Sequence, residues 1–394
     1  MKPCKRMMLI TLLLLSTVAS PAVIVNGGKG LPHTRAAWVG QTGYLTFLAN
    51  TRFWGKVHQT RDVSLNLPMA QTVWDVQGLA SLNYGLGKHF DLNLTPILYQ
   101  DDQTKNGVYP FDTYIGLKIG SYGSKSSSLN FGAQLHARFP TGEVKNIMFE
   151  DYTAGTVEFG FTGLVSYAMD PLYPEDSFNM HLNVGYNNNN DVGEIITADK
   201  QDSHSRVLSQ SQQMNYAIGF WIPTESFDYG LEWYGTTWLQ APPLAAAGRE
   251  TYLFGNAAIK YKPYRWFSFI ISGEYRLTAD KEETIGAKRV PTGLPNYNTW
   301  RVNVGAQFTL LPTSVYRTSE RDVLMQKAES RRELFEQIIK ERRETESAEE
   351  ELERIREERR KAERELERLR KILEGQTEQR RQMEDLQKEL EPKK

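Results

Sequence analysis

The chain has a single cysteine, Cys4, within its first five residues. A product cleaved beyond it has no disulfide, no thiol nucleophile and no thiolate metal ligand. No stretch reaches the roughly 18 consecutive apolar residues of a membrane helix. That excludes helical spans and not strands, because a transmembrane strand alternates and keeps mean hydropathy low. Net charge is missing too: 47 basic residues stand against 48 acidic ones, which gives no case for nucleic-acid binding. The six histidines are His33, His58, His89, His136, His181 and His204. No two are spaced i, i+2 or i, i+4, and acidic pairs such as Asp101-Asp102 read as loop residues, so no metal site is expected. No Gly-x-Ser-x-Gly elbow is present. His204 lies between Ser203 and Ser205 in a polar loop, and His136 and His181 have no serine at strand spacing beside them. Catalysis is therefore not expected, nor is a cofactor.

What is present begins with a leader. Lys2, Lys5 and Arg6 precede a run, Met7 to Leu15, that is apolar except for Thr11, and small residues follow at Ser16, Ala19, Ser20 and Ala22. This reads as a secretory signal peptide over 1–22. The alternative, an uncleaved anchor reaching Val25, is interrupted by Ser20 and Pro21.

From residue 37 to 311 the dominant pattern is period-two alternation. Twelve strands are predicted, the first eleven at 37–48, 71–84, 89–100, 111–121, 127–139, 152–168, 176–188, 210–222, 226–238, 250–262 and 265–277, with the last ending at Leu311. The fifth is among the cleanest: Leu129, Phe131, Ala133, Leu135, Ala137 and Phe139 oppose Asn130, Gly132, Gln134, His136 and Arg138. In the last, Val302, Val304, Ala306, Phe308 and Leu310 fall on one face, and Arg301, Asn303, Gly305, Gln307 and Thr309 on the other. On these boundaries the odd-numbered connections span 10–22 residues and the even-numbered ones 2–7. A soluble β-sandwich would also alternate. The strand lengths, the aromatics near strand ends (Phe90, Tyr99, Tyr167, Tyr186, Phe227, Tyr261, Trp266 and Trp300) and the alternating loop lengths favour a transmembrane barrel.

The order polar-x-Gly-x-x-aromatic-x-aliphatic at Asn303, Gly305, Phe308 and Leu310 resembles the closing-strand signal of bacterial outer-membrane β-barrels. The turn from Arg138 to Glu143 resembles, more loosely, a strand exit common in envelope barrels; physically it is a Pro-x-Gly turn. The resemblance covers about 37–311. It implies an all-β transmembrane barrel of about 12 antiparallel strands in an up-and-down meander. It also implies contact with outer-membrane lipid and recognition of the closing strand by the barrel-assembly machinery.

If the apolar faces meet lipid, the opposite faces line the lumen. That lining is expected to include Asp75, Asp91, Lys118, His136, Arg138, Glu158, His181, Glu232, Lys260, Lys262, Glu274, Arg276 and Arg301. Charges of both signs either pair across a packed interior or border a narrow aqueous path. Twelve strands lie between small filled barrels and wide porins, so a narrow pore and a plugged barrel both fit.

The composition changes sharply at Thr313. The 82 residues from there onward hold 22 of the 47 basic and 23 of the 48 acidic residues. From Glu320 to Leu390 there is no proline, which reads as a helix of roughly 105 Å if continuous. Leu352, Ile355, Ala362, Leu366, Leu369 and Leu373 recur at 3-4 spacing as a coiled-coil seam. An upstream register, Leu324, Ala328, Phe335 and Ile338, is offset by a stammer near Thr345 to Ala348. Arg342, Arg359, Gln376, Arg380 and Gln387 dilute the seam, and a solvated single helix held by i, i+4 pairs is the competing reading. Gly375 is a candidate break. The tail does not resemble the globular peptidoglycan-binding domain that many barrel proteins carry at this end.

The expected organisation is a signal peptide at 1–22, an N-terminal periplasmic segment at 23–36, an outer-membrane barrel at 37–312 and a periplasmic charged helix or coiled coil at 313–394. Two functions follow. One is a narrow solute channel, with the helix forming a homo-oligomer or meeting a periplasmic partner. The other is an envelope tether in which a closed barrel only anchors the helix.

Overall fold

A computed structural model describes residues 28–61, 68–102, 112–123, 127–142, 145–197, 205–285, 293–316 and 320–390. The expected signal peptide, Cys4, Ser203 and His204 lie outside these. Twelve antiparallel strands follow one another around a closed barrel. They are β1 (Leu45–Arg61), β2 (Pro68–Gly85), β3 (Phe90–Asp102), β4 (Thr113–Tyr122), β5 (Leu129–Phe139) and β6 (Glu158–Ala168). The second half is β7 (Asn179–Asn188), β8 (Gln212–Pro223), β9 (Phe227–Gln240), β10 (Tyr252–Tyr264), β11 (Phe267–Arg276) and β12 (Trp300–Leu311). Every strand pairs with its sequence neighbours, and β1 pairs with β12 from Leu45↔Leu311 to Phe53↔Val302. That last ladder removes both sheet edges and rules out a sandwich.

The faces are those of a membrane barrel. Leu129, Phe131 and Leu135 of β5, Leu182 and Val184 of β7, and Ile259 and Ile271 across β10 and β11 are exposed on the outside. Gln134, His136, Asn183, Asn256 and Ser272 on the same strands are buried inside. A water-soluble protein does the reverse, so the outer apolar band is a lipid-facing surface. A closed ladder without edges resists detergent. The folded protein is accordingly expected to migrate differently on a gel before and after boiling. Identical migration would contradict the barrel.

Two strand boundaries differ from expectation. The first strand is Leu45–Arg61, and residues 37–44 precede it on the inside of the barrel. Its alternation is blunted because Leu48 and Trp54 point inward while Ala49, Thr51 and Gly55 face outward. The sixth strand starts at Glu158, six residues after the predicted 152. Tyr152 and Ala154 instead pack with Ile196, Val207, Ala245 and Ala246 of other connections in a small apolar cluster. The clean separation of loop lengths is lost as well, since the β6–β7 connection, 169–178, is as long as the β3–β4 connection, 103–112.

A short 3-10 turn, Thr313–Tyr316, follows β12. The helix α1 (Glu320–Leu390) forms a separate unit, and it runs through Gly375 without a break. Within α1, Leu352, Ile355 and Leu366 are exposed, and Arg332–Glu336 and Arg359–Glu363 pair at i, i+4. The side chains of Leu369 and Leu373 lie outside the described set. No coiled coil is shown.

Candidate functional site

The predicted lining residues sit on the inner face of the wall. Asp75, Asp91, Lys118, His136, Arg138, Glu158, His181, Glu232, Glu274, Arg276 and Arg301 are buried, and Lys260 and Lys262 are half-buried. Many form pairs between facing positions of adjacent strands. Lys118 Nζ lies 3.1 Å from Asp91, Arg138 3.6 Å from Glu158 and Arg301 3.8 Å from Glu274. Arg138 also meets Asp112 at 2.6 Å, Arg276 meets Asp280 at 3.0 Å and Lys262 meets Asp228 at 2.5 Å. Lys260 donates to Gln307 at 3.1 Å. His181 corrects the sequence reading, because Ser166 stands directly opposite on β6 with its Oγ 2.8 Å from His181 Nδ1. A serine across the ladder is invisible to spacing along one strand. The pair is fully buried, and Ser166 Oγ also accepts the Ala37 N–H at 2.7 Å.

Among the described residues, two segments that are not part of the wall bond to several of the predicted lining residues, and Asn298 of the β11–β12 connection donates to Asp75 as well. The first is the N-terminal insert, residues 28–44. The expectation of a segment outside the barrel at 23–36 is thus corrected for 28–36. Starting from His33, the insert follows the inner wall strand by strand. His33 and Thr34 donate backbone N–H groups to Glu232 on β9. Asn183 on β7 both accepts the Arg35 N–H (2.7 Å) and donates to its carbonyl (2.8 Å). The Val39 N–H reaches Ser121 Oγ at the end of β4, and the Gly40 N–H reaches both Asp91 oxygens at 2.9 Å on β3. Lys118 Nζ donates to the Trp38 carbonyl at 2.8 Å. Every step is a backbone group of the insert satisfied by a side chain of the wall, as a buried non-strand segment requires.

Glycines on the inner face make room for it. A Cβ at Gly120 would stand 2.1 Å from the Ala37 carbonyl oxygen, and one at Gly85 would stand 2.2 Å from that of Gln41. No residue of the insert is among those predicted to line the lumen, and its residues 37–44 are predicted as part of the first wall strand. His33 was visible only as a histidine without a partner, and its partners lie about 200 positions away.

The second segment is part of the β5–β6 connection, around residues 146–154, which folds into the end of the barrel where β1 leads into β2. Glu150 hydrogen-bonds to Arg52, with Gln100 donating to it at 2.9 Å. Arg301 donates to the Phe149 carbonyl at 3.2 Å, and Tyr252 donates to Asp151 at 2.8 Å. Trp54 packs on Phe149 with ring centroids 5.1 Å apart. Burial would raise the Glu150 carboxyl, but Arg52 and Arg301 more than offset it and hold the group below its ordinary range. The two inserts meet at one ion pair. Glu274 carries His33 of the first, at 2.8 Å, and Arg301 carries Phe149 of the second. Both members of this pair are among the residues predicted to line the lumen, whereas the segments they hold are not.

No protein-family model matches the chain, and no curated protein does. Among solved structures it is similar to an outer-membrane channel of Pseudomonas putida F1, at 10% identity over 70% of this chain and 98% of that one, with a TM-score of 0.43. It is similar in the same degree to the NanC porin, at 10% identity over 67% and 100% and a TM-score of 0.43. A Pseudomonas aeruginosa FadL homologue gives 9% identity over 74% and 98%, with a TM-score of 0.32. The chain is a barrel of the outer-membrane type. That statement rests on its own closed wall and inverted faces.

Proposed function

We propose that the protein is a gated solute channel of the bacterial outer membrane, closed at rest by its own residues 28–44 and 146–154. One observation carries the reading: the β1–β12 ladder is complete without either insert. Both are separable from the wall: the first is held mainly by polar contacts, the second by polar contacts together with apolar packing of Ile147, Phe149, Tyr152 and Ala154. Displacing them leaves a polar passage through an intact barrel. The short connections 86–89, 224–226 and 265–266 share one end of the barrel with the start of β1 and the end of β12. In outer-membrane barrels short turns face the periplasm. The chain therefore enters α1 on the periplasmic side, where the exposed Leu352, Ile355 and Leu366 are available to a second copy or a partner. Asn303, Gly305, Phe308 and Leu310 of the closing strand are the segment offered to the assembly machinery.

Planar-bilayer recording tests this. The full chain is expected to be closed or to open rarely. A variant lacking residues 28–40 is expected to show stepwise openings with a mean conductance at least ~10-fold higher. A deletion variant that folds and stays silent favours the second reading, a closed anchor for α1. The ion pairs between facing wall residues support that alternative. It predicts that removing 318–394 weakens the envelope and leaves conductance unchanged.

A further inference from the structure

At one point the N-terminal insert is bound as a ligand would be. The His33 ring stacks on Tyr234 with centroids 3.9 Å apart and planes inclined by 19°. Its Nε2 lies 2.8 Å from Glu274 Oε1. Glu232 accepts the His33 N–H at 3.2 Å to each oxygen, and it takes the Thr34 N–H and hydroxyl, both at 2.8 Å. From the wall Glu232 receives one further donor, Asn256 Nδ2 at 2.7 Å. It is 1% exposed and forms no ion pair with lysine or arginine among the described residues. A carboxylate buried without a cation is costly unless donors surround it, and here most of the donors come from outside the wall.

Without the insert, the wall would present two carboxylates and an aromatic face to the lumen. Arg301, 3.8 Å from Glu274, would offset only one of the two charges. Tyr234 is itself fixed, donating to Glu274 at 2.5 Å and stacking on Phe254. Such a set favours a compact cation with a planar face and several N–H groups: the charge suits the carboxylates, the donors suit Glu232 and the face suits Tyr234.

We infer that Glu232, Tyr234 and Glu274 form a lumenal binding site for small planar N–H-rich cations, and that His33–Thr34 is its internal ligand, competing with solutes that enter the barrel. The inference rests on the channel reading and names its solute class, but its test measures binding without flux.

Titration calorimetry on the full chain, folded in detergent at pH 6, is the experiment. The probe is imidazole, largely protonated at pH 6 because its pKa is no lower than the histidine side chain's, about 6.5. Pyrrole is the uncharged ring of similar shape. His33→Ala removes the internal ring. This variant is expected to bind imidazole saturably, at least ~10-fold more tightly than wild type, and adding Glu274→Gln is expected to weaken that binding by ~10-fold or more. Pyrrole is expected to bind far more weakly than imidazole. Equal uptake of pyrrole, or an affinity untouched by Glu274→Gln, would show a filled hole and overturn the site. So would the lack of saturable binding in a variant that keeps its boiling-dependent mobility. If His33→Ala does not fold, His33→Gln keeps a hydrogen-bonding side chain and carries the same comparison. Charge-selective binding together with silent bilayers sinks the channel reading and leaves the site standing.

Discussion

Gly120→Val is expected to expel residues 36–40 from the wall and raise conductance to the level of the 28–40 deletion. A Cβ at this position would stand 2.1 Å from the Ala37 carbonyl oxygen, a backbone atom that cannot rotate away. The same oxygen accepts the Ser121 N–H at 2.9 Å, and the Ala37 N–H is tied to Ser166 Oγ at 2.7 Å. The peptide is gripped from both sides, so the added methyl groups must move it rather than be absorbed. The nearby bonds at Val39, Gly40 and the Trp38 carbonyl would go with it. At about 0.5–1.5 kcal/mol net per hydrogen bond, the bound state loses roughly 3 kcal/mol or more, enough to invert a resting equilibrium that favours closure by a similar amount. Gly273 is the control, because a Cβ there meets nothing within 4 Å. Gly273→Val should leave conductance unchanged. A cysteine introduced at Ala36, which is 0% exposed, reports the displacement directly. It should resist a soluble thiol reagent in the parent and react in the Gly120→Val background. Continued protection, with a closed channel, would mean that the insert is not seated against this glycine.

The wall was legible in the sequence because its physics is periodic. Each strand presents one face to lipid and one to polar groups, and an alternation such as Leu129 to Phe139 records that without any partner being known. The first strand fails the same test for a physical reason: Leu48 and Trp54 turn inward, where Trp54 packs on Phe149, while Ala49, Thr51 and Gly55 give the lipid face little contrast. The predicted start of the sixth strand fails for another reason: Tyr152 and Ala154 share the parity of Glu158 rather than that of the apolar Phe159 and Phe161, and they belong to an apolar cluster of loops. The inserts leave no periodic trace at all. Much of their attachment is a set of single contacts between residues far apart in the chain, polar ones such as Thr34 to Glu232 or Arg301 to Phe149 and apolar ones such as Trp54 to Phe149. Gly120 could be placed on the inner face from the sequence, whereas what it leaves room for could not. The helix is the converse case. Its composition alone fixes α1, whereas Leu352, Ile355 and Leu366 stay exposed and no coiled coil is shown.

Arg52→Met is expected to unseat the second insert, at a cost of about 3–5 kcal/mol, the usual loss when one member of a buried ion network is removed. Arg52 hydrogen-bonds to Glu150 and stands 3.9 Å from Asp75, and all three side chains are largely shielded from water. Without it two carboxylates face each other, with Asn298 and Gln100 as neutral donors on Asp75. The double variant Arg52→Met/Glu150→Gln removes the stranded charge and should recover about 2 kcal/mol of that loss, which a denaturant cycle on the folded barrel would measure. Acid gives an independent check with a fixed sign. Glu150 is held below its ordinary range, so its contribution is full above about pH 4.3 and fades as pH falls through its lower folded value. The parent should therefore lose stability as pH falls below about 4. Arg52→Met should lose less over the same interval, because no Arg52–Glu150 ion pair is left for acid to break. Parallel acid profiles for the two proteins would mean that Arg52 does not hold Glu150 in solution. The outer half of the lumen would then have to be closed by the apolar contact of Trp54 with Phe149 and by the Arg301 bond to the Phe149 carbonyl. Neither of these responds to carboxylate charge in that range.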